Sequence, residues 1–410
     1  MNIYKNILGG FLSLAIIFST LSVGVVSVSA DNTFGQSVAE SHKPVCPGGG
    51  QQEHDGARCH ARVVADKNGA PVKSTKPNGL SPQDLHTAYT ATITTSKKQI
   101  IAIVDAYDHP TIASDLTTYS KQFNLPILPV CSGPVAASAF PCFSKIDQRG
   151  GTAYPIANAG WALEIAMDVE VAHAMCQNCS ILLVEADDNG FNALAEAVDQ
   201  AVASGATVIS NSWGAGEFST QSTFNSHFNH PGIAIVASSG DSGYGVQYPA
   251  ASPYVTSVGG TTLTIKNSSQ VNEVAWSGAG SGCSAYEVKP SWQHDTGCIN
   301  RTVADVSAVA DPATGAAVYN SVKYSGQTGW FKVGGTSLAA PIIAGVYALA
   351  ADVPTTVQAA SLPYTKYSLS TLRDIVSGSN GVCNPTYLCS GVTGFDGPTG
   401  LGTPKGLGAF

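Results

Sequence analysis

Three short stretches of the chain carry side chains able to do chemistry. The first is VGGTSLAAPIIAG, Val333 to Gly345, where a small-residue turn delivers Ser337 to the start of an apolar run of helical character. Gly334 and Gly335 allow close approach of backbone, and the free N–H groups at a helix start suit a developing oxyanion. Pro341 lies near the end of the first turn, where its missing N–H is least felt. Such a serine is a nucleophile only beside a base; otherwise it is a plain N-cap. The second stretch is AGWALEIAMDVEVAHAM, residues 159–175, in which Glu164 and Asp168 are four apart and share one helical face. Trp161, Leu163, Ile165, Met167, Val169 and Val171 make this helix apolar nearly all round, hence largely buried. Two buried carboxylates must share a proton or meet a partner, whether for catalysis or as structural hydrogen-bond acceptors. The third, VASSGDSGYG, sets Asp241 in a Gly/Ser turn after a buried strand. Catalytic groups collect there in open α/β sheets, and so do aspartates that merely cap a turn.

The elements that must position these groups alternate along the chain. QIIAIVDAY (99–107), SILLVEA (180–186), ATVISNSW and GIAIVASSG read as buried strands. IASDLTTYSKQF, the 159–175 segment, FNALAEAVDQAVAS and SLAAPIIAGVYALAA read as helices. Ser81, Pro82 and Asp84 open an earlier helix. Apolar strands between helices predict an α/β fold, a parallel sheet with helices on both faces and the site beyond the carboxyl ends of its strands.

Composition narrows the setting. The chain has 410 residues, 12% of them charged, and a net charge of −8. A charge-poor acidic chain without a basic patch excludes nucleic acid as the expected partner and suits acidic surroundings. Residues 1–30 read as an export signal: Lys5, a long apolar run, then SVSA before Asp31; an uncleaved anchor is the alternative. Residues 31–80 read as a short N-terminal extension or pro-segment, and 81–410 as the main domain. Ten cysteines sit in near pairs, Cys46/Cys59, Cys131/Cys142, Cys176/Cys179, Cys283/Cys298 and Cys383/Cys389, which predicts five local disulfides in an oxidising compartment. CQNC also has redox spacing, but it precedes a strand. Zinc at Cys46, His54, Cys59 and His60 is conceivable, with irregular spacing.

Taken together, the motifs resemble the sedolisin (serine-carboxyl peptidase) family of the subtilase clan over roughly residues 80 to 410. GGTSLAAP is similar to the clan's serine motif. Glu164-Ile165-Ala166-Met167-Asp168 stands where true subtilisins carry their histidine element, SSGDSG resembles the family's oxyanion motif, and YPAASPYVTSVGGT resembles the segment that follows it. The resemblance implies a subtilisin-like fold and a secreted, monomeric endopeptidase acting on proteins or peptides in acid, free of the membrane once its signal is cleaved. Ser337 would be the nucleophile, Glu164 its base, Asp168 the residue orienting Glu164, and Asp241 the oxyanion donor. The chemistry agrees: a carboxylate with a free pKa near ~4.3 works as a base in acid, and Asp241 donates only when protonated. LRDIVSG and VTGFDGPTGLGTP resemble the family's calcium loop, with Asp374 and Asp396 supplying carboxylates and Ile375, Val392 and Gly394 carbonyls for Ca2+.

Some features depart from that pattern. About fifty residues stand where family members carry a large folded prodomain. Asp105 ends the first strand, where subtilisins hold their triad aspartate, and reads as a polar strand-end residue lining the cleft; His173 falls on another side of the Glu164 helix. NSWGAGE (211–217) is expected to wall the specificity pocket, with Trp213 governing cleavage-site choice more than stability. Two rival readings are a catalytically silent binding protein on the same fold and a subtilase-like peptidase active at neutral pH.

Overall fold

The QIIAIVDAY run becomes the central strand Ile100–Ala106, with all seven side chains buried. In the computed structural model, which describes residues 41–46, 56–267 and 269–410, it lies parallel to Ser180–Ala186 on one side and Val208–Asn211 on the other. Phe143–Asp147 extends the sheet beyond the first neighbour, and Ala234–Ser238 and Thr256–Lys266 extend it beyond the second, all parallel. Val306–Val309 joins Thr256–Lys266 in parallel, and Gln270–Ala275 closes that edge as an antiparallel hairpin arm. The continuous Val/Ile/Leu/Ala character of the inner strands reflects cover on both faces.

That cover comes from the predicted helices. Ala159–Met175 and Thr336–Ala350 pack on each other and on the central strands, whereas Phe191–Ala203 packs on Ser180–Ala186 and Ile100–Ala106 from the opposite face. The expected α/β class, a subtilisin-like parallel sheet with helices on both faces, is the fold found. Pro82–Tyr89 begins with a complete capping box between Ser81 and Asp84.

The segment before residue 80 is woven into this body. Arg62–Ala65 pairs with Ser41–Pro44 and with Gln327–Gly334 in a five-stranded antiparallel sheet. Arg58–Cys59 pairs antiparallel with Trp213–Gly216 in a separate three-stranded sheet. All five proximal cysteine pairs are disulfide-bonded. Cys46 and Cys59 are thereby removed as metal ligands and Cys176 and Cys179 form one closed bridge; His54 and the signal segment lie outside the described residues. Among the described residues no helix is long and apolar enough to cross a membrane.

Candidate active site

The carboxylate helix starts at Asn158, whose side chain accepts from the amides of Gly160 and Trp161. Every residue from 160 to 175 is buried, because the helix runs between the parallel sheet, the serine helix and the antiparallel strand Ala316–Tyr324. Glu164 and Asp168 are fully inaccessible, and none of their four oxygens has a well-formed hydrogen bond among the described residues. Burial pushes both carboxyls well above the ordinary range; for Glu164, Asp168 and then Asp105 add to this by repulsion.

Asp105 does not line the cleft as expected. It is fully buried, its carboxyl too is driven well upward, first by burial and then by Asp168 and Glu185, and neither oxygen is bonded. Three acids without countercharge must therefore hold protons between them, and they titrate as one coupled set. Beyond them, Glu185 stands opposite Asp105 in register, accepts from the His109 amide at 2.9 Å and lies 3.5 Å from the Lys145 ammonium. Glu170, on the same helix, answers a structural need: it accepts from the Tyr319 amide at 3.0 Å.

Ser337 lies in the first turn of Thr336–Ala350 and is fully buried. Its hydroxyl is close enough to Glu164 to favour the ionised carboxylate, although its formed hydrogen bond, 3.0 Å, runs to the Ser212 carbonyl. The Ser212 hydroxyl, whose formed hydrogen bond at 3.3 Å runs to the Ser337 carbonyl, is near enough to Asp168 to favour its ionised form.

Asp241 follows the strand Ala234–Ser238 and reaches the same helix start. One oxygen, Oδ1, accepts from the Thr336 amide at 2.8 Å and from its hydroxyl at 2.9 Å; the other, Oδ2, is buried and unbonded. Desolvation lifts this carboxyl to about 6 against the pull of Thr336 and Arg62, so a proton on Oδ2 is accessible in mild acid. Gly335, at φ +100, is required between them: a Cβ there would lie 2.6 Å from Asp241 Oδ2 and 1.9 Å from the His60 carbonyl oxygen. The Ser337 amide donates to that His60 carbonyl at 3.1 Å.

His60, considered from the sequence only as a zinc ligand, instead sits beside the serine helix. Its ring is buried, with Nε2 2.6 Å from Gln247 Oε1 and Nδ1 2.7 Å from Ser238 Oγ. The amide oxygen only accepts, so Nε2 carries the proton and Nδ1 accepts from the serine. Desolvation drops this imidazole to about 3. Both nitrogens are engaged away from Ser337, and His173 Nε2 is bound to the Pro126 carbonyl at 2.8 Å.

Trp213 corrects the expectation of a specificity side chain. It is fully buried, its Nε1–H donates to the Val104 carbonyl at 2.9 Å, and its ring meets Phe191 edge-on. The backbone of Trp213 and Gly214 pairs with Cys59 and Arg58, with the indole pointing into the core. Trp213→Ala is expected to cost about 3–5 kcal/mol of folding stability through cavity formation and the orphaned Val104 carbonyl. A shifted midpoint in denaturant titration at unchanged slope would report this.

The C-terminal loop brings Asp374 and Asp396 together. Asp374 Oδ2 accepts from the Gly394 amide at 2.9 Å, and its Oδ1 is buried without a partner. Asp396 accepts from Val392 at 3.2 Å and from Thr399, and burial, with Asp374 nearby, raises it to about 7. Among the described residues no three His, Cys, Asp or Glu side chains converge as a metal cluster; this loop offers two carboxylates and backbone carbonyls instead. A hard cation with oxygen ligands fits that donor set and the orphaned oxygen.

The fold, with a match to the Subtilase family model over residues 156–374, makes the chain a serine-type peptidase of the subtilisin class. It is 30% identical over 397 residues to Kumamolisin of Bacillus sp. (strain MN-32), covering 86% of this chain and 67% of that protein. It is 31% identical over 284 residues to Sedolisin of Pseudomonas sp. (strain 101), covering 59% of this chain and 47% of that one. Among solved structures, Pseudomonas sedolisin, a serine-carboxyl proteinase complexed with pseudo-iodotyrostatin, superposes with a TM-score of 0.66 at 26% identity, covering 80% and 96% of the two chains. The chain belongs to the sedolisin family.

Proposed function

We propose that this peptidase is a secreted endopeptidase that cleaves proteins in acid, with Ser337 as nucleophile, Glu164 as base and later acid, Asp168 orienting Glu164, and Asp241 donating to the tetrahedral oxyanion. The observation that carries this reading is the meeting of three groups at one helix start: the Ser337 hydroxyl beside Glu164, and the unbonded Asp241 oxygen beside Gly335. A neutral-pH subtilase arrangement needs an imidazole facing the serine, and both nitrogens of His60 are bound elsewhere. A silent binding protein would have no need to keep Glu164, Asp168 and Asp241 buried at a cost in desolvation. Five disulfides support export to an oxidising compartment.

Ca2+ fits the C-terminal loop, where Asp374 and Asp396, with the carbonyls of Ile375, Val392 and Gly394, would hold it. When bound it would neutralise the buried Asp396 and the half-buried Asp374 and fix the loop.

The test is hydrolysis of an unstructured protein from about pH 3 to 8, with fragments identified by mass. Internal fragments, released fastest in acid, are expected. An optimum above pH 7 would overturn the acid mechanism, and removal of residues only from chain ends would overturn endo action.

A further inference from the structure

The row of acids behind Ser337 does not end at Asp105. Asp105 and Glu185 are register partners on adjacent parallel strands, so their side chains share one face of the sheet, and Asp105 meets Asp168 of the carboxylate helix there. Glu185 Oε2 is buried without a partner, as are both oxygens of Asp105, while Oε1 lies 3.5 Å from the Lys145 ammonium. That ammonium is already committed. It makes its closest pair with Asp108, donates to the His109 carbonyl at 3.2 Å and stands 4.0 Å from the centre of the Tyr154 ring. The Lys145 and Asp108 side chains are each 13% exposed, so the row reaches solvent at this pair. Burial lifts Glu185 to about 8 against the pull of the His109 amide and Lys145, and Asp108 adds to the rise, so Glu185 keeps its proton in acid. Two other groups face it. Asp147, in register on its far side, is held by the amides of Arg149 at 2.7 Å, Gly151 at 3.1 Å and Ala153 at 2.8 Å. The His109 ring is driven down to about 4, first by burial and then by Lys145, and is neutral above that.

We propose that Asp108 is a positioning residue for catalysis: by holding Lys145 at the rim it leaves Glu185 neutral, and so keeps negative charge away from Asp105 and from the base. The assignment rests on Glu164 being that base, as proposed above. A carboxyl ionises more readily the less negative charge lies beside it. Glu164, Asp168 and Asp105 already stand together without a countercharge, and a fourth charge at Glu185 would press on Asp105 and, through the coupled set, on Glu164. Asp108 prevents this by taking the cation. Without its carboxylate, Lys145 is left facing Glu185 at 3.5 Å, and Glu185 gives up its proton to pair with it. The negative charge then moves inward from the rim to the neighbour of Asp105. Glu164 in turn needs a higher pH to ionise, although the substitution itself has removed a negative charge from the protein.

The experiment is the pH profile of kcat/KM on an unstructured protein, from about pH 2 to 8, for wild type, Asp108→Asn, Glu185→Gln and the double variant. Wild type is expected to show a limb that rises from low pH as Glu164 ionises. Asp108→Asn is expected to move that limb upward by about one pH unit, which is about a tenfold lower rate at a fixed pH on the limb. Asp108→Ser, which removes the carboxylate with a different shape, is expected to move it equally. Glu185→Gln exchanges one neutral group for another and is expected to leave the limb in place, and the double variant Asp108→Asn/Glu185→Gln to return it to the wild-type position. A structural loss alone lowers the rate at every pH and is not rescued in this way. A limb that stays or moves downward in both Asp108 variants, or a shift that persists in the double variant, would overturn the proposal and leave the peptidase reading standing. A wild type that is active without an acid limb would overturn Glu164 as base, and this assignment with it.

Discussion

Glu164→Gln is expected to lower kcat about 10⁴-fold while leaving the protein as stable as before. The two halves of this result have one cause. Glu164 is fully buried among acids, and burial followed by repulsion from Asp168 and Asp105 favours its neutral form. A neutral amide of the same shape therefore replaces a group that is readily neutral in the folded chain, so folding loses nothing. Catalysis loses the carboxylate proposed to take the Ser337 proton, because an amide oxygen is far too weak a base. Ser337→Ala is expected to fall to the same floor, and the double variant no further, since nucleophile and base act as one unit. The check is kcat on an unstructured protein in acid beside a denaturant midpoint for each variant. More than about a tenth of wild-type activity in Glu164→Gln would mean that another group, His60 foremost, takes the proton.

The parts of this molecule that were legible in its sequence are those with long, self-consistent patterns. Ala159–Met175 and Ser180–Ala186 have the bounds expected, because a seventeen-residue apolar helix and a seven-residue apolar strand admit few alternatives. The places of Ser337, Glu164, Asp168 and Asp241 in the elements were readable because each stands at a structural break or on one face of such an element. What was not legible depends on non-local pairing or on which way one side chain turns. Trp213 sits in a strand of four residues, too short to declare which face is the core. Asp105 looked like a cleft residue, but its partners Asp168 and Glu185 come from elements 63 and 80 positions away. His60 follows a strand of two residues in a stretch rich in Gly, Lys and Pro, and no periodicity could reveal that its backbone bonds to Ser212, 152 positions on.

Asp241→Ala is expected to lower kcat by about 10²–10³, and Asp241→Asn to keep most of the activity in acid while changing its pH dependence. The carboxyl has two duties. Oδ1 satisfies the Thr336 amide and hydroxyl, and the buried Oδ2, beside Gly335, is the oxygen proposed to meet a substrate carbonyl. Alanine abandons both; asparagine keeps the acceptor and supplies an N–H donor that never titrates. The sign of the pH effect follows from the raised value of about 6. Below it the acid is protonated and donates; as pH rises through it the donor disappears and a negative charge appears beside the developing oxyanion. Wild-type activity is therefore expected to fall as pH rises through about 6, and that fall is expected to be absent in Asp241→Asn. Initial rates from about pH 3 to 8 on both proteins decide it. Asp241 titration is the cause if the alkaline limb vanishes with the carboxyl, and is not if the limb survives unchanged, since the coupled set around Glu164 loses protons as pH rises and so pushes the rate the other way.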